Sequence, residues 1–222
     1  SIGVGRLLGL RKVELADLAG AALFHDIGYA GGRVDGEVSD ERDPDEVRNL
    51  HPVAGLMLVC REVGYSTHKA RRMRVALEHH LHAAGMGGYP PVFTERLSLM
   101  TQIVQVCDHY DSMVRPQAEG PAARLPADAL SRIVGGSPGR FDPIAVRALA
   151  QVLGRYPVGS VLRLSTGHLG VVVRAGLTPE AYRRPAVHLV RDPDGSPIAS
   201  TVATASTAPA AIVALFASTA TS

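Results

Sequence analysis

An adjacent histidine and aspartate, His25 and Asp26, follow the apolar run 21–24 and precede Gly28. An imidazole and a carboxylate at the end of a buried segment both cost free energy unless they find a polar partner. A metal ion would satisfy both, because imidazole nitrogen and carboxylate oxygen suit Zn, Mn or Fe, and one carboxylate can bridge two ions. The structural alternative is a helix C-terminus, where the imidazole meets the last carbonyls and the glycine ends the helix.

More histidine and aspartate side chains follow in segments of helical periodicity. They are His51, the pair His79 and His80, and Asp108. Each has a structural interpretation as well: a lone helical histidine is more often structural than a ligand, the pair can complete a basic last turn, and the aspartate can pair with an arginine. Neighbouring imidazoles point in different directions from a helix, so both reach one site only if the helix ends there.

Five motifs in this order resemble those of the HD-GYP branch of the HD-domain phosphohydrolases. They are AALFHDIG at 21–28, His51-Pro52 with Gly55, EHH at 78–80 with Gly88-Tyr89-Pro90, VCDHYD at 106–111, and Phe141-Asp142-Pro143. The resemblance covers roughly residues 6 to 155, and five ordered motifs argue against coincidence. It implies an all-helical domain, a centre of two or three divalent ions, with Fe or Mn favoured, and hydrolysis of cyclic di-GMP.

Carried over motif by motif, the resemblance also implies a ligand set. One ion would be held by His25, Asp26 and Asp108, and the other by Asp26, His51, His79 and His80. Asp26 and Asp108 would be the catalytic residues. The family has a further histidine upstream of the His-Asp pair, but no histidine precedes His25 here, so the chain is expected to be a fragment of a longer protein.

The substrate-binding residues implied by the resemblance depart from the family pattern in places. The set is Tyr29, Gly88, Tyr89, Pro90, Asp111 and Arg115, with Tyr89 able to stack on a base. The family usually has lysine at the position of Tyr29, and a phenol carries no positive charge at neutral pH. Losing such a donor corresponds to about 2–4 kcal/mol, or on the order of 10² to 10³ in rate. The Arg-Pro-Tyr-Arg element of the family continues here only as Arg115-Pro116.

Composition limits the classes of partner. The 222 residues include 46% hydrophobic and 20% charged residues, which is typical of a globular protein. A net charge of +2 gives no broad field for long nucleic acid, although arginines concentrate near the motifs, at Arg71, Arg72, Arg74 and Arg115. No segment resembles a membrane span or a signal peptide, and two cysteines are too few for a disulfide framework, so a cytoplasmic protein is expected.

Periodicity predicts a mainly α fold, an HD-domain helical bundle over 1–155 with a small C-terminal β extension. Helices are predicted at 13–24, 44–63, 67–82, 95–114, 126–135 and 142–154. Residues 28–45 have no apolar period and are predicted as a loop. β-rich runs predict a small sheet over 156–195, and the Ala/Ser/Thr-rich residues 196–222 predict a weakly ordered tail.

The predicted function is therefore metal-dependent hydrolysis of cyclic di-GMP, or a related cyclic dinucleotide, in bacterial second-messenger signalling. Tyr29, Ala84 and the incomplete arginine element favour an alternative, a domain that binds the nucleotide or a protein without turnover. In the family the Gly-Tyr-Pro loop offers a contact surface for partners such as diguanylate cyclases, and a homodimer is compatible with the sequence. A purely structural role for the histidines is disfavoured, because clustered buried imidazoles without a metal are costly.

Overall fold

Local capping explains where several of the helices begin. In the computed structural model, the Ser66 hydroxyl accepts a hydrogen bond from the Lys69 backbone N–H at 3.1 Å. The Asp142 carboxylate accepts from the N–H groups of Ile144 and Ala145 at 2.8 and 2.9 Å. These bonds satisfy N–H groups that have no partner within the first helical turn. The prediction of Asp142 as a helix cap is confirmed.

The structure describes residues 1–30, 43–85, 87–92, 94–116, 122–136, 138–176, 184–204 and 212–215. Seven α-helices lie within these ranges: α1 Ile2–Leu7, α2 Lys12–Phe24, α3 Pro44–Cys60, α4 Thr67–Glu78, α5 Leu99–Val114, α6 Pro126–Val134 and α7 Pro143–Leu153. A short 3₁₀ helix at Ile27–Ala30 opens the loop predicted at 28–45, most of which lies outside the described residues. The mainly α class is confirmed.

The chain forms two compact units, Ser1–Asp108 with Ser137–Ala148, and His109–Gly136 with Leu149–Ser222. All the predicted metal ligands belong to the first unit, whose buried core includes Leu18, Val75, Ile103 and Val106. Apolar side chains at helical spacing from α2, α4 and α5 supply this core. The domain boundaries at residues 155 and 195 stay predictions.

The second unit contains a five-stranded antiparallel sheet. Its strands are β1 Val161–Leu164, β2 Leu169–Arg174, β3 Ala186–Arg191, β4 Pro197–Thr204 and β5 Ile212–Leu215, in the order β4-β3-β2-β1-β5. Leu162, Leu164, Val172 and Val187 form its buried cluster. The prediction of a small C-terminal β extension is confirmed.

The sheet includes part of the segment predicted as a weakly ordered tail. β4 pairs with β3, with Val202 opposite His188, and β5 pairs with β1, with Leu215 opposite Leu162. These two strands were not predicted, and the boundaries of the tail stay a prediction. Composition suggested weak order, but threonine, valine and isoleucine favour strands when a neighbouring strand offers its backbone groups. The rest of that segment lies outside the described residues.

Within the described residues, no helix combines the length and the apolar character required to cross a bilayer.

Candidate metal centre

The His-Asp pair lies at the C-terminal end of α2. His25 is the residue that directly follows the helix, and its Nδ1 is 2.8 Å from the Ala22 carbonyl oxygen. Because a carbonyl can only accept, Nδ1 carries the proton and donates to one of the unsatisfied last carbonyls of α2. The predicted contact of this imidazole with the last helix carbonyls is thus confirmed, although the helix ends at Phe24, before Gly28. The bond leaves Nε2 directed at the carboxylates, 3.3 Å from Asp108 Oδ1 and 3.4 Å from Asp26 Oδ2.

His51 is fixed in a similar way, but in the middle of a helix. Its Nδ1 is 2.6 Å from the carbonyl oxygen of Arg48. In a regular helix that carbonyl would accept from the N–H of residue 52, but Pro52 has none. The proline therefore frees an acceptor one turn before His51, and the bond to it directs His51 Nε2 towards Asp26. Such bonds from the distal ring nitrogen are what orient metal-ligating histidines.

His79 and His80 lie where α4 ends. The helix ends at Glu78, and His79 follows it with Nδ1 2.9 Å from the Ala76 carbonyl oxygen. His79 is buried, with 1% of its surface exposed. The ring of His80 packs against that of His79, with centroids 4.0 Å apart. The helix thus ends at the site, which is the condition under which neighbouring imidazoles can serve one centre.

A glycine allows α3 to approach the His-Asp turn. A Cβ built on Gly28 would lie 1.8 Å from the His51 carbonyl oxygen and 2.7 Å from the Gly55 nitrogen. Real Cβ atoms do not approach backbone this closely, so only glycine fits at this position. The contact explains why the glycine two residues after the pair belongs to the motif: it sets the distance between Asp26 and His51.

The Asp26 carboxylate lies between the imidazoles of His51 and His79 on one side and that of His25 on the other. Its Oδ1 is 3.3 Å from His51 Nε2 and 3.2 Å from His79 Nε2, while its Oδ2 is 3.4 Å from His25 Nε2. Two groups result, each with ligand atoms within 4.8 Å of one another, and they share Asp26. The first comprises Asp26, His51, His79 and His80, and the second comprises His25, Asp26 and Asp108. These are the two sets that the motif resemblance implies.

The separations between these atoms fit a metal ion. Nitrogen and oxygen ligands lie about 2.0–2.2 Å from a transition metal, so two ligands of one ion are about 3.0 Å apart at a right angle and about 3.4 Å apart at the tetrahedral angle. His51 Nε2 and His79 Nε2 are 3.2 Å apart, and both are 3.2–3.3 Å from Asp26 Oδ1. These three side chains already have the spacing of ligands around one ion.

The electrostatics of the site favour positive charge. Burial alone would lower the pKa of His25, but its hydrogen bond to Asp108 and the charge of Asp26 raise that pKa to about 9. Burial alone would raise the pKa of Asp26, yet the hydrogen bonds of His51 and His79 hold it well below its usual range. Burial and the neighbouring imidazoles lower the pKa of His80 to about 3, which leaves its ring neutral at pH 7. Carboxylates that stabilise a proton on His25 would also stabilise a metal cation.

Two tyrosines pack on the histidines. The Tyr29 ring stacks on His51 with centroids 4.1 Å apart and an angle of 18°, and the Tyr89 ring stacks on His80 at 4.4 Å and 25°. Burial and the charge of Asp26 raise the pKa of Tyr29 to about 12, and burial also raises the pKa of Tyr89. Both phenols therefore keep their protons at neutral pH and can donate hydrogen bonds.

Comparisons with known proteins agree with this arrangement. No family model matches the chain. Over 190 residues the chain is 34% identical to the cyclic di-GMP phosphodiesterase PA4108 of Pseudomonas aeruginosa, a match that covers 80% of this chain and 44% of that protein. The chain thus spans less than half of the length of this curated relative. Among solved structures, Bd1817, a HDG"Y"P protein from Bdellovibrio bacteriovorus, superposes with a TM-score of 0.51 at 15% identity, covering 68% of this chain and 48% of that one.

The fold is that of the HD-GYP proteins. The family resemblance predicted from the five motifs is confirmed by these two comparisons.

The loop that carries the Gly-Tyr-Pro residues of the HD-GYP fold folds back towards the site. Leu81 and Gly88 form an isolated antiparallel bridge, and Gly88 has φ +85°. A Cβ on Gly88 would lie 2.1 Å from the His80 carbonyl oxygen, so this position also requires glycine. The turn brings Tyr89 onto His80, and Pro90, which is buried, follows through a cis peptide bond.

Some residues expected at the HD-GYP substrate site have other partners. Asp111 and Arg115 form an ion pair with each other at 2.7 Å, and neither belongs to the two ligand groups. The arginines of α4 are also paired: Arg71 with Asp17, Arg72 with Glu62 and Arg74 with Glu78. The local positive charge predicted from these arginines is therefore largely neutralised by carboxylates, and the roles of Asp111 and Arg115 stay predictions.

Two features that the structure places at the site had no role predicted from the sequence. Pro52 supplies the free carbonyl for His51, a role signalled only by a proline inside a helical pattern directly after a histidine. Arg48 lies close to Tyr89, with its guanidinium carbon 5.9 Å from the ring centroid. Between Asp45, Glu46 and the apolar residues of α3, an arginine looks like part of an ordinary charged helix start, so the sequence gives no signal for it.

Proposed function

We propose that this chain is a metal-dependent phosphodiesterase domain that hydrolyses cyclic di-GMP. The observation that carries the proposal is the position of Asp26, which offers one oxygen to each of two groups of candidate ligands. A carboxylate placed in this way is suited to bridging two ions. The 34% identity to a curated cyclic di-GMP phosphodiesterase supports the substrate class.

The residues of the two groups have distinct tasks. His51, His79 and His80 would hold one ion and His25 and Asp108 the other, with Asp26 shared. Bound there, two divalent ions would supply an activated water and would neutralise charge on the phosphoryl oxygens.

The backbone and the aromatic rings keep these side chains in place. Hydrogen bonds from Nδ1 to the carbonyls of Ala22, Arg48 and Ala76 fix the three ligand rings before anything binds. The stacked tyrosines cover His51 and His80, and their hydroxyls offer hydrogen bonds to a phosphate. This rigidity matters because a hydrolytic site works only when its groups are held close to the reactive geometry. Hydrolysis of one phosphodiester would then open the ring to a linear dinucleotide.

A second function is favoured by one specific observation. Tyr29 occupies the position where the HD-GYP resemblance implies a lysine, and its hydroxyl carries no charge at neutral pH. A domain that retains the metal ligands but lacks this cation could bind the cyclic dinucleotide without turning it over. This binding function differs from the first only in the chemical step, so one set of measurements separates the two.

The test uses the purified chain loaded with Mn²⁺ or Fe²⁺ and follows conversion of cyclic di-GMP to linear products by chromatography. We expect metal-dependent product formation that is lost in Asp26→Asn and kept in His168→Ala, a matched control outside both ligand groups. Saturable binding without product in the wild type, together with product in Tyr29→Lys, would support the second function. Neither binding nor product would refute both.

The identity of the metal, a cytoplasmic location, a protein partner at the Gly-Tyr-Pro loop and a homodimer all stay predictions.

A further inference from the structure

Arg48 lies at the edge of the metal centre, on the helix that carries His51. Its backbone carbonyl accepts the hydrogen bond from His51 Nδ1, so the two residues are one helical turn apart on the same face. Its guanidinium carbon is 5.9 Å from the centroid of the Tyr89 ring. The Arg48 side chain is therefore positioned beside the aromatic rings that cover the ligand histidines.

The side chain of Arg48 is available to bind a ligand. It is 61% exposed, and it forms an ion pair with Asp45, at 3.7 Å between two exposed groups. An exposed pair at this distance contributes little free energy and is easily exchanged for a better partner. The arginines of α4 differ, because Arg71 and Arg74 contact the buried carboxylates of Asp17 and Glu78.

Two hydroxyl donors accompany the guanidinium. Tyr29 and Tyr89 both pack against His51, with ring centroids at 4.1 and 6.1 Å, and the charge of Arg48 acts on both phenols. A planar guanidinium beside two phenols offers several N–H and O–H donors, and the guanidinium itself has no acceptor atom. That combination suits a phosphate, which presents acceptor oxygens and negative charge.

We propose that Arg48, together with the hydroxyls of Tyr29 and Tyr89, forms an anion-binding rim that holds a phosphate group of the cyclic dinucleotide beside the metal centre. The identification of the ligand as the cyclic dinucleotide rests on the proposed function. Because Tyr29 is uncharged, the positive charge at this edge comes from α3, a different element from the one that carries the His-Asp pair. Arg48 is thus a substrate-binding residue, and its removal weakens binding and raises KM more than it lowers kcat.

The experiment compares Arg48→Gln, Arg48→Lys and the wild type. Metal-loaded protein is titrated calorimetrically with a phosphorothioate analogue of cyclic di-GMP that resists hydrolysis, and steady-state kinetics with cyclic di-GMP give KM and kcat. The loss of a charge-assisted contact in Arg48→Gln corresponds to about a 10- to 100-fold weaker Kd. Arg48→Lys keeps the charge but loses the bidentate fork, so we expect an intermediate Kd.

Two controls make the result specific. Arg61 lies directly after the other end of α3 and is exposed, so Arg61→Gln removes the same charge far from the rim and should leave Kd within about twofold. Asp45→Asn removes the acidic neighbour of Arg48, and its Kd should equal or fall below that of the wild type. Elemental analysis of each variant should show unchanged metal content, because Arg48 acts on the phosphate and not on the ions.

The outcomes distinguish failure of the anion-binding rim from failure of the proposed phosphodiesterase function. Turnover with an unchanged KM and Kd in Arg48→Gln would overturn the rim and leave the proposed function standing, as would equal losses in Arg48→Gln and Arg61→Gln. If the wild type neither binds nor hydrolyses the dinucleotide, the proposed function fails, and the rim is tested with inorganic phosphate on the same metal-loaded protein. Weaker phosphate binding in Arg48→Gln, but not in Arg61→Gln, would then support the anion site, and equal binding would overturn it.

Discussion

Gly28 and His51 are in backbone contact, since a Cβ on Gly28 would lie 1.8 Å from the His51 carbonyl oxygen. This contact joins the His-Asp turn to α3. It also makes the spacing of Asp26 and His51 depend on a residue that is itself chemically inert.

The first prediction follows from that contact. Gly28→Ala should destabilise the fold by about 1–3 kcal/mol, because the added methyl meets backbone that cannot move aside easily. It should also lower metal content by moving Asp26 away from His51. Gly20→Ala is the matched control: it lies in α2, its added Cβ would have Arg72 Cδ at 3.8 Å as its nearest neighbour, and it should stabilise the helix by about 0.5–1 kcal/mol. Chemical denaturation and elemental analysis measure both effects, and equal stabilities for the two variants would contradict the argument.

Replacing Pro52 with alanine should raise the stability of the fold and lower its affinity for metal. Pro52→Ala restores an N–H that can bond to the Arg48 carbonyl, so the helix and the melting temperature should gain. His51 Nδ1 then loses its exclusive acceptor, and metal affinity should fall by about 10-fold or more. Pro143→Ala, at the start of α7, is the control that should leave metal affinity unchanged. A Pro52→Ala protein with unchanged metal affinity would show that the Arg48 carbonyl does not orient His51 for metal binding.

The shared position of Asp26 predicts unequal metal losses among ligand variants. Asp26→Ala should remove both ions, because this carboxylate belongs to both groups. His79→Ala should reduce one ion and Asp108→Ala the other, since each belongs to a single group. Elemental analysis of protein purified without chelator gives the stoichiometry, with His168→Ala as the control. Equal losses in all three ligand variants would argue against two separate ions.

The buried carboxylate of Asp17 predicts a pH dependence of stability away from the metal centre. Its side chain is 1% exposed and is bound by His68 and Arg71. Burial alone would raise the pKa of Asp17, but these two partners lower it below its usual value. The stabilisation is therefore fully present above the unfolded aspartate pKa of about 3.9 and is lost as the pH falls through the lower folded pKa.

Asp17→Asn should accordingly cost about 1–3 kcal/mol at pH 7. The difference between wild type and variant should shrink as the pH is lowered below about 4. Urea denaturation of both proteins from pH 7 to pH 3 measures this difference in unfolding free energy. A difference that stays constant across this range would show that the charge of Asp17 contributes no stability.

The sequence allowed the fold class and the candidate ligands to be predicted, for a physical reason. A histidine and an aspartate at the end of a helical pattern can be recognised locally, and the order of the later motifs supplies their partners. The position of Arg48 beside Tyr89 could not be predicted, because only the turn at Gly88 brings that ring near the arginine. The two strands within 196–222 were missed for a similar reason: β5 is held by β1, which lies far away in the sequence, and composition carries no information about such a partner.

Both α2 and α4 end at the metal centre, with His25 and His79 directly after their last residues. The C-terminal end of a helix carries roughly half a negative elementary charge, so two helix dipoles add to the charges of Asp26 and Asp108 at one point. This negative potential attracts cations and repels a phosphodiester until the cations have bound. For the proposed phosphodiesterase, this potential implies an order of binding, in which the metal ions enter first and the dinucleotide follows.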